Sequence, residues 1–431
     1  MTWLRLAYAN LSLSPLTTLV NVILMALGTA SIVLLLLAST QLQATMSRDA
    51  QGIDLVLGTS GSPVQLILSA VYHADVPPGN IKLVDTERWA EDPRVKRAVP
   101  MSLGDSYRGF RIVGTTTDYL EVYGGTVAEG RLWDAPMEAV LGAGVAASGA
   151  LSLGADFAGA HGLVEGGHAH DSDQYSVVGV LAPTGTVLDR LVVTSLQSVW
   201  VLHDEGHAHD EEDGHDEEHG HDEEQGHDEE HGHDEDHTDT DEHAHHEADE
   251  DLEITAMLLT YSTPLAATTL PRQINAEGVL QAAAPAMEIS RILQMIGIGI
   301  SALGAFAWVL VATAALSIFA ALYGSLRSRR GELAMLRCLG ATRLELLFYL
   351  VVEGLLMTAL GIAIGILAGH GVMELVGTWL SQTQGMDLTG WTWAGEEAAL
   401  VLGLFLVGVV SAIIPAIQAY RTDVARTLAE G

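Results

Sequence analysis

Cysteine is almost absent from this sequence: Cys338 stands alone among 431 residues. A single thiol makes no intramolecular disulfide and no cysteine-based zinc knuckle. Lysine is nearly as scarce, with only Lys82 and Lys96, and neither follows a glycine. A Walker A loop needs Gly-Lys followed by Ser or Thr to hold nucleotide phosphates. The chain is therefore no P-loop ATPase by itself. It also lacks an HExxH motif and any serine or cysteine nucleophile motif, so the reading is a non-enzyme. Basic residues are few as well, 20 against 55 acids, for a formal charge of −35. That balance argues against nucleic acid as a partner. Most of it is local, because residues 203–253 hold 26 acids and no base, leaving 29 acids and 20 bases elsewhere. The charge describes one segment and says little about the fold.

What is plentiful is uncharged apolar sequence. Leu16 to Ala38 is 23 residues without a charge, enough to cross a hydrocarbon core of roughly 30 Å. No small-residue cleavage pattern follows, so it reads as an uncleaved first span, 16–38. A second uncharged run, Ile292–Leu326, has 35 residues. As a helix rising about 1.5 Å per residue it would outrun the bilayer; the span itself is placed at 292–322. The third span, 345–376, contains Glu353 and Glu374, and the fourth covers 398–420. Within the third, Gly361, Gly365 and Gly369 recur every four residues. That spacing lines one helix face with small residues and permits close helix approach. It also follows from glycine simply being common in membrane helices. Glu353 fits the cytoplasmic interface beside the preceding arginines, or a buried polar function.

Basic residues near the spans orient them. Arg5 precedes the first; Arg327, Arg329, Arg330, Arg337 and Arg343 crowd the loop between the second and third; Arg421 and Arg426 follow the fourth. Segments 39–291 and 377–397 carry few bases. The expected layout is a cytoplasmic 1–15, a large external 39–291, a cytoplasmic loop 323–344, a short external loop 377–397 and a cytoplasmic tail 421–431.

The external segment has about 250 residues, sufficient for a real core. Short β-rich runs recur at Ile53–Leu57, Ile81–Val84, Phe110–Val113, Tyr175–Leu181, Leu191–Val193 and Ile254–Tyr261, separated by turn signals such as Pro77-Pro78-Gly79. Pro63–Tyr72, Thr117–Tyr123, Ala139–Leu151 and Ser195–Leu202 read as helices. The fold class is thus an α-helical membrane protein with four transmembrane helices, arranged one plus three, and an α+β domain between the first two. Asp54, Asp85, Asp105 and Asp189 adjoin strands or turns, where aspartate commonly makes local backbone hydrogen bonds. His73 and His161 are isolated and read as structural histidines.

Inside the external segment, residues 203–250 hold 13 of the 18 histidines and 24 of the 55 acids. The hexad Gly-His-Asp-Glu-Glu-His runs four times with small lapses from Gly214 to His237. So polar a segment has nothing to bury and reads as a disordered insertion at a loop. Its histidines are His203, His207, His209, His215, His219, His221, His227, His231, His233, His237, His243, His245 and His246. Imidazole and carboxylate suit zinc in a tetrahedral set, and nickel or copper would bind too. Redundant ligands of this kind predict several exchanging ions rather than one closed site, with no metal required as a cofactor. The alternative is a solvated acidic linker. His168-Ala169-His170 repeats the theme upstream.

The loop Arg329-Arg330-Gly331-Glu332-Leu333-Ala334-Met335-Leu336-Arg337-Cys338-Leu339-Gly340-Ala341-Thr342-Arg343 resembles the segment joining the second and third spans of MacB/FtsX-type ABC transporter permeases. Ile414-Pro415-Ala416 through Leu428 is similar to that family's closing motif. Asp54-Leu55-Val56-Leu57-Gly58 with Gly61-Ser62-Pro63, Val113-Gly114-Thr115, Glu129-Gly130-Arg131 and Val178-Gly179-Val180-Leu181 look like landmarks of its periplasmic core domain. The resemblance covers nearly the whole chain except 203–250.

It implies a permease subunit in the bacterial inner membrane that dimerises and recruits a separate P-loop ATPase of MacB/LolD type. Arg330, Glu332, Leu333, Leu336, Arg337, Leu339, Gly340, Ala341 and Arg343 would then form the ATPase-coupling surface. Joined to the histidine-rich loop, this gives a mechanotransmitting permease in zinc or other divalent-metal homeostasis, with lipid around its spans and a periplasmic metal-binding protein as a candidate partner. The alternative is a lipoprotein-release or FtsX-like signalling and export permease, with the loop as an accessory or inert linker. After Glu353 and His370 the span middles lack ionisable groups, so direct metal conduction is disfavoured.

Overall fold

The structure, a computed structural model, describes residues 15–161, 169–202, 252–328, 340, 342–384 and 388–421. The chain divides into a helical unit, Met1–Ala44 with Leu293–Gly431, and a mixed unit, Thr45–Ile292. The long helices are α1 (Pro15–Asp49), α7 (Pro285–Ser328), α8 (Arg343–Gln384) and α9 (Glu397–Arg421). All four are long and apolar enough to cross a membrane. Three of them run well past the apolar stretches that announce them. Hydropathy marks only the part that needs hydrocarbon, whereas backbone hydrogen bonding carries a helix on into polar sequence.

The mixed unit contains β1 (Leu55–Gly58), α2 (Pro63–Ala70), β2 (Ile81–Lys82), α3 (Leu83–Ala90), β3 (Val95–Tyr107), β4 (Phe110–Thr115), α4 (Asp118–Val122), β5 (Val127–Gly130), β6 (Glu138–Leu141), α5 (Ala143–Ala147), β7 (Asp156–His161), β8 (Ala169–Leu181), β9 (Leu191–Ser195), β10 (Glu253–Ile254), β11 (Ala256–Tyr261), α6 (Ala266–Glu277) and β12 (Gln281–Ala283). A further helical stretch spans 196–202. It is an α+β unit, as its alternation of short apolar runs and turns predicts.

Among the described residues, ten strands share one sheet in the order β12-β1-β11-β3-β4-β9-β6-β8-β5, with β7 joining β3 and β8. The pairings β3-β4, β4-β9, β9-β6, β6-β8, β8-β7 and β7-β3 therefore return to their start, giving a closed circuit of six strands. Closure removes sheet edges. Ile112, Leu141, Phe157, Tyr175, Val177 and Val192 form one buried cluster on these strands. The flap β12-β1-β11 carries a second core, where Leu55, Leu57, Met257 and Leu259 meet Trp89 of α3 and Leu270 and Ile274 of α6. Each such side chain, fully buried, contributes about 1.5–3 kcal/mol.

Several expectations need correction. Ala139–Leu151 is not one helix: Glu138–Leu141 pairs with both β8 and β9, and only Ala143–Ala147 is helical. Two strand partners outweigh helix propensity there. β3 is hidden in the sequence because Pro100, Gly104 and the charges at Lys96 and Arg97 interrupt its alternation. It survives because β11 and β4 pair with it on either side, with a register shift between Leu103 and Ser106. Ile81–Val84 yields a strand of two residues before α3 begins.

Of the four aspartates, Asp189 makes the local backbone hydrogen bonds expected of it, whereas Asp54 bonds to backbone far away in sequence. Asp189 accepts from the Thr184 and Gly185 amides at 2.9 and 2.7 Å, and Asp54 accepts from Tyr261 N at 2.7 Å. Asp85 lies in the first turn of α3, and Asp105 is buried as the register partner of His161. His73 is a buried structural histidine whose Nε2 meets the Tyr119 hydroxyl at 2.8 Å. Burial, then the nearby Arg111 and Arg190 charges, hold its imidazole well below the ordinary histidine range.

In the helical unit, α1 nests against α8. A Cβ on Gly361, Gly365 or Gly369 would fall 2.6, 2.5 or 3.0 Å from the Cβ of Met25, Thr29 or Val33. This decides between the two readings of the glycine spacing: the glycines are where the backbones approach. Asn21, fully buried, receives the Ser317 hydroxyl from α7 at 2.5 Å and donates to Met357 Sδ of α8 at 3.8 Å. Leu19, Ile23, Phe306, Trp308, Leu367 and Leu402 remain exposed, as helix faces toward hydrocarbon should.

Candidate functional site

The thirteen histidines of 203–250 and the residues expected to couple to an ATPase, Arg330, Glu332, Leu333, Leu336, Arg337, Leu339 and Ala341, lie outside the described residues. Of the expected coupling surface, Gly340 and the start of α8 at Arg343 are described. Gly340 is exposed with φ +103, a backbone setting that glycine alone adopts cheaply. Two residues on, Thr342 and Glu345 bond reciprocally. The Thr342 amide donates to Glu345 Oε2 at 2.8 Å, and the Glu345 amide donates to the Thr342 hydroxyl at 3.3 Å. This is a capping box, which satisfies two amides left free by the first helical turn. The Gly-Ala-Thr-Arg motif thus has a local cause: a glycine turn followed by a cap that fixes where α8 begins. Glu345 is the residue that motif reading missed, although Thr-x-x-Glu before an apolar run signals it.

Losing that cap should fray α8 selectively. Thr342→Ala is expected to cost about 0.5–2 kcal/mol, seen as faster amide hydrogen exchange at 343–346, and Thr342→Ser should restore protection. Unchanged exchange in the alanine variant would rule the cap out.

Glu353 lies ten residues into α8 and is buried, 2% exposed. The adjacent Gly354 would bring a Cβ within 2.6 Å of Ala412 in α9 and 3.0 Å of Leu322 in α7. Its place is inside helix packing rather than at an exposed interface.

A second polar cluster lies about 40 Å along α8 from its cap. His370 Nδ1 meets the Gly390 carbonyl at 2.6 Å, and Nε2 meets Glu397 Oε2 at 3.1 Å. One turn on, Glu374 accepts from the Gly390 amide at 2.8 Å and the Thr389 hydroxyl at 3.0 Å. From α1, Gln41 exchanges two bonds with the Thr389 backbone, at 2.8 and 2.9 Å. The Trp393 ring stacks on His370 with centroids 5.9 Å apart. Trp379, Trp391 and Trp393 are all exposed, the placement of tryptophan at a membrane–water boundary.

In the mixed unit, the Glu129-Gly130-Arg131 and Val178-Gly179 motifs are two sides of one crossing. β5 and β8 pair Gly130 with Gly179. Arg131 forms a bidentate pair with Glu138, whose carboxylate also takes the Asp134 amide at 2.8 Å. The Arg131 hydrogen bonds first, then the amides, pull the Glu138 carboxyl down to about 2. Gly61-Ser62-Pro63 is a helix start, with Ser62 capping Gln65 N at 3.3 Å and Pro63 at the first helical position.

Residues 18–214 match the family model of the MacB-like periplasmic core domain, and residues 304–424 match that of the FtsX-like permease C-terminal region. The chain is a permease of the MacB/FtsX family. The first match covers most of α1 and the mixed unit through β9, and the second runs from within α7 through α9. Permeases of this family work with a partner ATPase. Two solved structures are similar over most of their own length. The periplasmic region of MacB from Actinobacillus actinomycetemcomitans is 12% identical, covering 57% of this chain and 95% of its own, with a TM-score of 0.31. The extracellular domain of the noncanonic ABC-type transporter YknZ from Gram-positive bacteria is 12% identical, covering 53% and 98%, with a TM-score of 0.29. No curated protein matches the chain.

Proposed function

We propose that the chain is the mechanotransmitting permease subunit of an inner-membrane ABC transporter serving zinc or another divalent metal. The observation carrying this reading is the histidine-rich segment, 13 histidines in 48 residues, set in the external region of a MacB/FtsX-family scaffold. Helix length supports the mechanical part. α1 has 35 residues and α7 has 44, or about 52 and 66 Å, against a hydrocarbon core of about 30 Å. Such excess suits helices that carry motion beyond the bilayer.

In this reading both termini and the 323–344 loop face the cytoplasm, where two copies engage the ATPase through Arg330, Glu332, Leu333, Leu336, Arg337, Leu339, Gly340, Ala341 and Arg343. The histidines capture periplasmic metal, free or delivered by a metal-binding protein. The spans themselves are not the path for the ion. Glu353 is enclosed by helix packing, and His370, Glu374 and Glu397 already hold one another's loop.

Deleting 203–250 tests the metal role. The full-length permease should bind several zinc ions and the deleted form far fewer, and growth under zinc limitation should fall in the deletion strain. Equal metal content and equal growth would remove the metal role. ATP-dependent lipoprotein release or wall-hydrolase activation, retained by the deleted form, would then identify the permease as a releasing or signalling one.

A further inference from the structure

The cluster at His370 contains one more hydrogen-bond acceptor than its donors can serve, and a proton settles the count. The Gly390 carbonyl only accepts, so the 2.6 Å contact requires a hydrogen on His370 Nδ1. A neutral imidazole then has a bare lone pair at Nε2, and that lone pair faces Glu397 Oε2 at 3.1 Å. Two acceptors do not attract. Either the ring carries a second proton and donates to a carboxylate, or Glu397 is a carboxylic acid donating to the ring. Both states hold the same total: one proton beyond neutral histidine plus glutamate.

Burial makes the count costly to violate. The Glu397 side chain is 1% exposed and that of His370 19%. Glu397 Oε1 also accepts from the Ala394 amide at 3.0 Å. The charges around the pair are almost all of one sign. Glu374 comes from α8 and Glu396, exposed, from the approach to α9. The 388–396 segment presents the Gly390 carbonyl and the Trp393 ring, and α1 contributes the neutral amide of Gln41. No lysine or arginine occurs between Arg343 and Arg421, so no other side chain of that stretch neutralises Glu397. A buried carboxylate left without a partner is strongly destabilising.

We propose that His370 and Glu397 form a proton-binding site that latches the 388–397 segment onto α8. The ligand is a proton, shared along the Nε2–Oε2 line, and the parts it joins are the third and fourth long helices and the tryptophan-bearing segment between them. With the proton present, His370 bridges Gly390 and Glu397. When it leaves, Nε2 and Oε2 face each other as acceptors, and the single remaining imidazole N–H serves Gly390 or Glu397 but not both. The latch is therefore closed at low pH and loosened as pH rises. It shares no residue with the histidine-rich segment, so it stands or falls independently of the metal reading.

The test is hydrogen exchange of the full-length permease in lipid nanodiscs with a metal chelator present, corrected for the intrinsic rate at each pH. The comparison runs from about pH 5 to about pH 9, either side of the range in which histidine in general changes charge. Exchange at Gly390 and Trp391 should then accelerate about tenfold or more, the worth of one charge-assisted hydrogen bond. Glu397→Gln should be flat with pH, because its carboxamide N–H donates to the bare Nε2 while Nδ1 keeps Gly390. A flat wild-type profile overturns the proposal whatever the variant does. So does an equal rise in Glu397→Gln, or protection that appears at fixed pH only when zinc is added, since the same lone pairs would then be filled by a metal.

Discussion

Replacing Gly179 with valine is expected to open the β5–β8 edge of the mixed unit, at a cost of about 2–4 kcal/mol. A Cβ at this position would sit 2.2 Å from the Arg131 carbonyl oxygen. The obstacle is backbone, so no rotamer change relieves it. Opposite, Gly130 has φ +77 and its own Cβ would fall 2.2 Å from the Val178 carbonyl, so the crossing has no slack on either side. Because Arg131 also anchors Glu138 at the start of β6, the disturbance should spread into the closed strand circuit. Denaturant unfolding of the full-length protein, followed by exchange at β5 and β8 amides, measures it. Gly154→Ala is the matched control. Gly154 also has positive φ, +79, but nothing lies within 4 Å of its Cβ position. Its cost should be the left-handed penalty alone, about 1 kcal/mol. Equal effects in the two variants would show that conformation rather than close approach governs the crossing.

Gly365→Leu should separate α8 from α1. The new Cβ would lie 2.5 Å from Thr29 Cβ and 2.7 Å from the Ala26 carbonyl, and the remaining side-chain atoms have nowhere to go without displacing the helix. Overpacking by a single methylene costs about 1–3 kcal/mol, and a leucine should reach the upper end or beyond. Helices in lipid associate through close van der Waals contact rather than hydrophobic burial, so losing that contact removes the main attraction. Gly371, on the same helix, has nothing within 4 Å, and Gly371→Leu should be nearly silent. Thermal stability in detergent and stimulation of the partner ATPase are the readouts. The first variant should lose several degrees and most coupling, the second neither. Similar behaviour of the two would show that the glycine spacing reflects composition only.

The four apolar helices were legible because hydrocarbon imposes a length and forbids charge, and both constraints are written in linear order. The α+β class followed from short apolar runs between turns. The closed circuit of six strands was not legible. It depends on β3, whose proline, glycine and charges disguise it, and on β6, whose four residues become a strand only between β8 and β9. At the candidate site, the Gly-Ala-Thr-Arg motif was visible but its mechanism was not, since Glu345 matters only once its carboxylate turns back to Thr342. The His370–Glu397 pair, 27 residues apart, was invisible, because nothing in either residue's local sequence names the other.

By itself the sequence determined what depends on composition and order: four membrane-long apolar runs, no P-loop lysine, a concentrated histidine–carboxylate segment, and family motifs. Those properties are sums over neighbouring residues. Only the tertiary structure decided what depends on meeting across distance. It showed that the glycines of the third span face α1, that the two glycine motifs of the mixed unit cross one another, and that His370 meets Glu397. Close approach and hydrogen-bond parity are properties of pairs, and folding alone chooses the pairs.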